Sequence, residues 1–191
     1  MMMKLEFYEL ILYQKLQTDK MKTLILSSSL SESSKSFILC NSVYKNLSAK
    51  GAKCTIIDAR NIPMNPTHMR LTPEMRSLAK KIEKADNIII GMGVHCYSIN
   101  DSLKILLDTC FSAAGGKLYG ILCAAGGERS YLSTMHLTQI CMNEWRMIQL
   151  PRIVYATRND FNKENICSSE LLERIELFTE EFYLIGNKLL T

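Results

Sequence analysis

Residues 27–36 read SSSLSESSKS, seven hydroxyls gathered where the apolar run LIL (24–26) ends. A segment that leads from a buried strand into the first turn of a helix carries unpaired backbone N–H groups. With the helix dipole, these favour a bound phosphate. Serine hydroxyls add donors there without bulk. On this stretch alone a plainer reading leads, in which Ser33 or Ser34 is an N-cap and the other serines are solvated turn residues. A flexible linker fits less well, because the stretch is short, lies between two regular patterns and lacks glycine. It is not a GxxxxGK[ST] loop, so no triphosphate cradle is indicated.

Two further stretches could do chemistry. GMGVHCYSINDSLK (91–104) sets two glycines beside His95, Cys96 and Tyr97. Close backbone approach and an aromatic wall suit a planar heterocycle. Cys96 as a nucleophile would need His68 or His136 as its base, since adjacent side chains such as His95 and Cys96 rarely point the same way. A plain loop thiol is the preferred reading. CAAGGERSY (123–131) ends a strand in small residues that leave room for a ring, with a glycine pair able to offer N–H groups and Arg129 able to meet an anion. Its plain alternative is an ordinary turn. Three such loops at one sheet edge carry more than any of them singly.

Alternating elements would place them. Apolar runs at 22–27, 54–58, 85–92, 117–125 and within 146–156 read as strands, the last in two short pieces around Pro151. Helical spacing covers 34–49, 73–84 (with Pro73 in the first turn), 102–114, 131–145 and 168–190. Residues 93–101 read as a loop. Five strand–helix units with continuous apolar strands mean a parallel sheet covered on both faces. Ligands of such sheets sit beyond the carboxyl ends of the strands, and the three stretches follow strands one, three and four.

Composition narrows the class. At 191 residues the chain is one domain with a sizeable core. Its net charge of +4 comes from dispersed Lys and Arg, so no nucleic-acid footprint is expected. The seven cysteines are odd in number and none has CxxC spacing, which argues for a reducing, cytoplasmic setting and against a disulfide framework or zinc site. No apolar run approaches the ~20 residues of a membrane span. Residues 1–20 precede a second candidate start at Met21. They read either as an added helix with Leu5, Tyr8, Leu12 and Leu16 on one side or as a mis-assigned start. The second is preferred, and the domain is taken as 21–191.

The stretches together resemble the NADPH-dependent FMN reductase family, a branch of the flavodoxin-like flavoproteins. The first is similar to the family pattern G-S-x-R-x-x-S-x-[NST], with Ser28 on the Gly, Ser29 and Ser34 on the serines and Ser36 on the last polar position. The second resembles T-P-x-Y-x-x-S-[IV]-P-x-x-L-K-x-x-[IL]-D, matching without gaps at Ser98, Ile99, Leu103, Lys104, Leu107 and Asp108. The third, and LPRIVYATRNDF after it, are also similar to family segments. Ser31 stands where the family usually has Arg. Met92, Gly93 and His95 stand where Thr, Pro and Tyr are usual.

The resemblance implies a flavodoxin-like three-layer sandwich, with a five-stranded parallel sheet in the order 2-1-3-4-5 and helices on both faces. It implies FMN as cofactor, with NAD(P)H as hydride donor and a small molecule as final acceptor. The phosphate would lie on Ser29, Leu30, Ser31, Ser34, Lys35 and Ser36. Gly93, Val94, His95, Cys96 and Tyr97 would follow the ring and ribityl chain, and Ala125, Gly126 and Gly127 would border the ring. No side chain is implied as a general acid. A homodimer or homotetramer is implied, through the faces of 101–114 and 131–145. The rival readings are an FMN-binding or electron-transfer protein without NAD(P)H turnover and, well behind, a Cys96-dependent hydrolase.

Overall fold

The computed structural model describes residues 20–163 and 165–190, so the candidate extension lies, but for Lys20, outside the described residues. Strand β1 (Lys22–Ser27) leads to helix α1 (Lys35–Ala49), β2 (Lys53–Asp58), α2 (Pro73–Lys84) and β3 (Asn87–His95). Then come β4 (Ser98–Ile99), α3 (Asp101–Cys110), β5 (Leu118–Ala124) and α4 (Thr134–Trp145). The chain continues through β6 (Ile148–Gln149), β7 (Val154–Ala156), the hairpin β8 (Phe161–Asn162) and β9 (Asn165–Ile166), and α5 (Ser169–Lys188). Helix starts obey local chemistry. Ser34, Thr72 and Ser168 accept from the amides of Phe37, Met75 and Leu171, each at 3.1 Å.

The main sheet is ordered β2-β1-β3-β5, and β6 and β7 share the last position. β6 pairs the start of β5 (Leu118↔Ile148) and β7 its end (Leu122↔Val154), all parallel. The gap holds Pro151, which has no N–H to give to a ladder. Five positions in the expected order therefore carry a split last strand.

Side-chain alternation divides the core. Leu24, Leu26, Ile88, Ile90 and Ile121 face α2, α3 and α4, and Ile25, Ile89, Leu118 and Leu122 face α1 and α5. Ile88, Ile89 and Ile90 are all fully buried, as a parallel strand covered on both faces requires. At Gly120 a Cβ would come within 2.5 Å of Phe178 Cζ, so glycine is what lets α5 lie so close to β5.

Several boundaries differ from the sequence reading. Residues 93–95 are strand, and the chain folds back antiparallel, pairing His95 with Ser98 and Val94 with Ile99. The turn residues Cys96 and Tyr97 have φ of 48° and 58°, the left-handed geometry that suits a two-residue hairpin. Neither is glycine, so the apolar period gave no hint of it. Helix α3 stops at Cys110, short of the expected end at residue 114, where Phe111 closes a turn by accepting from Ala114 N at 2.8 Å. Helix α4 starts at Thr134, after a 3₁₀ turn over Glu128–Ser133. The β8–β9 hairpin has no counterpart in the sequence reading.

Candidate functional site

The parallel register brings the three stretches to one edge. Ser27 lies beside Gly91, Gly93 beside Ala124, and Ala124 beside Ala156. Everything after these residues leaves the carboxyl edge of the sheet. A cavity of about 610 Å³ opens there between the Cys96–Tyr97 turn, Gly126–Ser130 and Thr157–Asn159.

In the first stretch the serines divide by depth. Ser34 and Ser36 are buried, and their hydroxyls lie 3.1 Å apart, with Ser27 Oγ 3.3 Å beyond Ser36. The Ser36 hydroxyl is committed inward, which leaves its backbone amide as the group at the helix start. The amides of Lys35 and Ser36 belong to the first turn of α1, whose N–H groups have no partner within the helix. Ser29 is half-buried, while Leu30 and Ser31 are exposed. Ser31 N–H donates to Ser29 Oγ at 3.3 Å, which curls the loop on itself.

Two cations flank this loop. The Lys35 ammonium donates to the Lys163 carbonyl and lies 5.6 Å from the Phe161 ring centroid, turned toward the β8–β9 hairpin. Arg60, just past β2, donates from Nη1 to Glu32 O at 2.9 Å and stacks 4.9 Å over the Phe37 ring. Its Nε bonds both oxygens of Asp58 at 3.0 and 2.9 Å, and the carboxylate raises the guanidinium pKa. With serine at position 31, Arg60 is a guanidinium that touches this loop, through the Glu32 carbonyl.

Ser28 is fully buried and serves the scaffold. Its Oγ lies 2.8 Å from Gly91 O and 3.0 Å from Asn100 Oδ1, two acceptors that share its one hydrogen, and its carbonyl accepts from Asn100 Nδ2 at 3.1 Å and Ser102 Oγ at 2.7 Å. The sequence reading did not single out Asn100, Ser102 or Arg60. Arg60 was findable from its place at a strand's carboxyl end. Asn100 was findable from its place at the second proline of the 92–108 pattern.

In the second stretch, open space surrounds the point where a Gly93 Cβ would be, with nothing within 4 Å. Tyr97 is 65% exposed at the cavity lip. His95 Nδ1 sits 3.6 Å from Asp101 Oδ1, and His136 Nδ1 sits 2.9 Å from Ser98 Oγ. Among the described residues no imidazole bonds Cys96, and His68 lines a separate groove beside α3 and α4. The geometry gives the thiol reading no base.

The third stretch is held from the neighbouring strand. Ala125 N donates to Ala156 O at 2.8 Å, Tyr155 OH to Gly127 O at 2.6 Å and Arg158 Nε to Gly126 O at 2.7 Å. Gly127, like Gly93, faces open space. The Tyr131 and Tyr155 rings pack edge-on at 5.3 Å. Beneath lies Cys123, whose thiol burial pushes up to about 12. Burial likewise raises the Tyr155 phenol. These two buried groups behind the cavity stay uncharged at neutral pH, while the cavity lining itself carries Glu128, Arg129 and Arg158.

This arrangement can take an extended ligand with an anionic end and a flat end. First-turn amides with the half-buried Ser29 stand at one end of this edge, and open glycine backbone with Tyr97 stands at the other. The residues present thus fit a flavin mononucleotide.

A family model described as NADPH-dependent FMN reductase matches residues 21–162. An FMN reductase (NADPH) of Pseudomonas aeruginosa is 32% identical over 108 residues, 56% of this chain and 58% of the relative. An NADH-dependent FMN reductase, SfnF, of Pseudomonas fluorescens is 32% identical over 123 residues, 64% of this chain and 66% of the relative. The match thus spans less than two thirds of either relative. Among solved structures, an oxidoreductase from Corynebacterium diphtheriae superposes with a TM-score of 0.69 at 19% identity, over 89% of this chain and 99% of that one. A flavodoxin from the domain Archaea superposes with a TM-score of 0.65 at 11% identity, over 87% and 99%. At these identities the structures speak for the fold alone, which is flavodoxin-like.

Proposed function

Because the chain belongs to the NADPH-dependent FMN reductase family, we propose that it is an FMN-dependent NAD(P)H oxidoreductase that serves a small-molecule electron acceptor. The observation that carries this is that the register brings a hydroxyl- and amide-bearing helix start to the same sheet edge as a cavity lined by Tyr97, Gly126 and Gly127, although residues 27–36 do not themselves line that cavity.

The first-turn amides of Lys35 and Ser36, with Ser29, Leu30, Ser31 and Ser34, would hold the phosphate, and Arg60 would supply positive charge beside Glu32. The Lys35 side chain has its own partners and takes no part in this proposal. Gly93 through Tyr97 would follow the ring and ribityl chain. Ala125, Gly126 and Gly127 would border the ring, held in place by Tyr155 and Arg158. When bound, FMN supplies the capacity to accept a hydride and pass electrons on. The chain's own work is to position, to exclude water below the ring and to leave one side open for the nicotinamide. No side chain is assigned as general acid or base.

We propose further that the protein is cytoplasmic and assembles as a homodimer or homotetramer. Seven unpaired cysteines support a reducing compartment, and no described helix is long and apolar enough to cross a membrane. Tyr131, Leu132 and Met135, about half exposed or more beside the cleft, support an assembly surface that includes residues 131–145.

Anaerobic visible spectroscopy of the protein loaded with FMN and desalted tests the function. Retained flavin that bleaches with NADPH or NADH is the expected result. Retained flavin that stays oxidised would favour an electron-transfer protein, and no retained flavin would end both readings.

A further inference from the structure

We propose that Asn100, with Ser28 and the Gly93 amide, is a positioning latch that joins the phosphate loop and the ring-side hairpin into one rigid unit. A change at one end of the cleft is then felt at the other. The inference rests on the reading of the cleft as an FMN site.

The side chain of Asn100 is 1% exposed and uses all of its hydrogen-bonding groups. Oδ1 accepts from Gly93 N–H at 3.1 Å and, at 3.0 Å, shares the Ser28 hydroxyl hydrogen with Gly91 O at 2.8 Å. Nδ2 donates to Ser28 O at 3.1 Å and Ser102 Oγ at 2.7 Å. Ser28 lies at the root of the phosphate loop, and Gly93 lies beside the ring-side hairpin. One buried carboxamide therefore touches both halves of the site.

Its place in the chain makes this use notable. Asn100 is the N-cap of α3, where an asparagine ordinarily accepts from its own helix, yet it makes no cap bond. The side chain is turned into the protein, toward Ser28 and Gly93, instead. The sequence patterns point to the same group of residues. Asn100 and Gly93 both stand where the pattern has proline, and Ser28 stands where it has glycine. Each change adds the group that the latch uses. Glycine has no hydroxyl, proline has no N–H, and proline has no carboxamide. A proline at 93 could not donate to Asn100, so the two changes act only together. Prolines stiffen a loop by fixing φ, whereas this chain stiffens the same loops with buried hydrogen bonds. A site held ready in this way loses less entropy on binding.

The test uses Ser28→Ala, Asn100→Ala and the double variant, with FMN and riboflavin affinities read by flavin fluorescence. Exchange of the Gly93 amide is read by NMR on the flavin-free protein. Each single change is expected to weaken both flavins about tenfold, and the double change by far less than the product of the two. The Gly93 amide is expected to exchange faster in Asn100→Ala. Ser28→Ala that weakens FMN but spares riboflavin, or single effects that simply multiply, would overturn the latch. Wild-type protein that binds neither flavin would end the FMN reading. The latch would then be judged by Gly93 exchange alone, and unchanged exchange in Asn100→Ala would overturn it. Should Asn100→Ala fail to fold, Ser28→Ala, which removes one hydroxyl, carries both the riboflavin comparison and the Gly93 readout.

Discussion

Arg60 holds three separate partners: the Asp58 carboxylate, the Glu32 carbonyl and the Phe37 ring. Its ion pair with Asp58 is partly solvated, and such pairs contribute only about 0–1 kcal/mol to folding. Arg60→Gln is therefore expected to leave the unfolding midpoint nearly unchanged while weakening FMN about tenfold, with a flatter salt dependence of the dissociation constant. Equal affinity in the variant would remove Arg60 from the site. The thiols allow a second test at this scale. Burial pushes Cys123 and Cys141 up to about 12 and raises Cys40 further, so all three stay protonated and unreactive at pH 8. Cys96 and Cys167 are exposed. Iodoacetamide followed by peptide mass spectrometry should mark Cys96 and Cys167 and spare the three. Labelling of Cys123 in native protein would mean that the cleft floor opens to water. Not every residue role was legible at this scale. Ser34 could be read as a cap from its place before a helical pattern. Ser36 looks the same in sequence, and its inward turn depends on how α1 is rotated against the sheet.

The decisive element is the hairpin at the end of β3. Cys96 and Tyr97 both occupy left-handed backbone, which costs a residue with a side chain roughly 1–2 kcal/mol. Strain of this kind persists where function requires the side chains, and Tyr97 is the exposed aromatic at the cavity lip. Replacing the pair with Asn-Gly relieves the turn and removes the aromatic wall. Denaturant titration should then show a gain of about 1–2 kcal/mol, and fluorescence titration should show weaker FMN binding. A variant that gains stability and keeps full affinity would assign Tyr97 no part in the site. The strands and caps around this hairpin were legible because β-branched runs and Ser, Thr and Pro signals act locally. The hairpin was not, because it is held by pairing of Val94 with Ile99 and His95 with Ser98 and not by turn residues.

For the whole molecule, the exposed apolar residues beside the cleft bear on assembly. Leu132 is 74% exposed next to Tyr131 and Met135. If that surface joins two copies, Leu132→Glu should convert a sedimenting dimer or tetramer into smaller species. An unchanged sedimentation coefficient would place the contact elsewhere. The alternation of buried strands and amphipathic helices, hence a parallel sheet covered on both faces, was legible from residue order alone, as was which strand ends carry hydroxyls and glycines. These follow from period, cap and turn chemistry, each set by a few neighbouring residues. What those loops touch depends on the folded arrangement of the strands. Arg60 meets a carbonyl 28 residues earlier, and Asn100 meets a serine 72 residues earlier. Such contacts exist only once strand order and register have brought the carboxyl ends of β1, β2 and β3 side by side, and no local pattern encodes them.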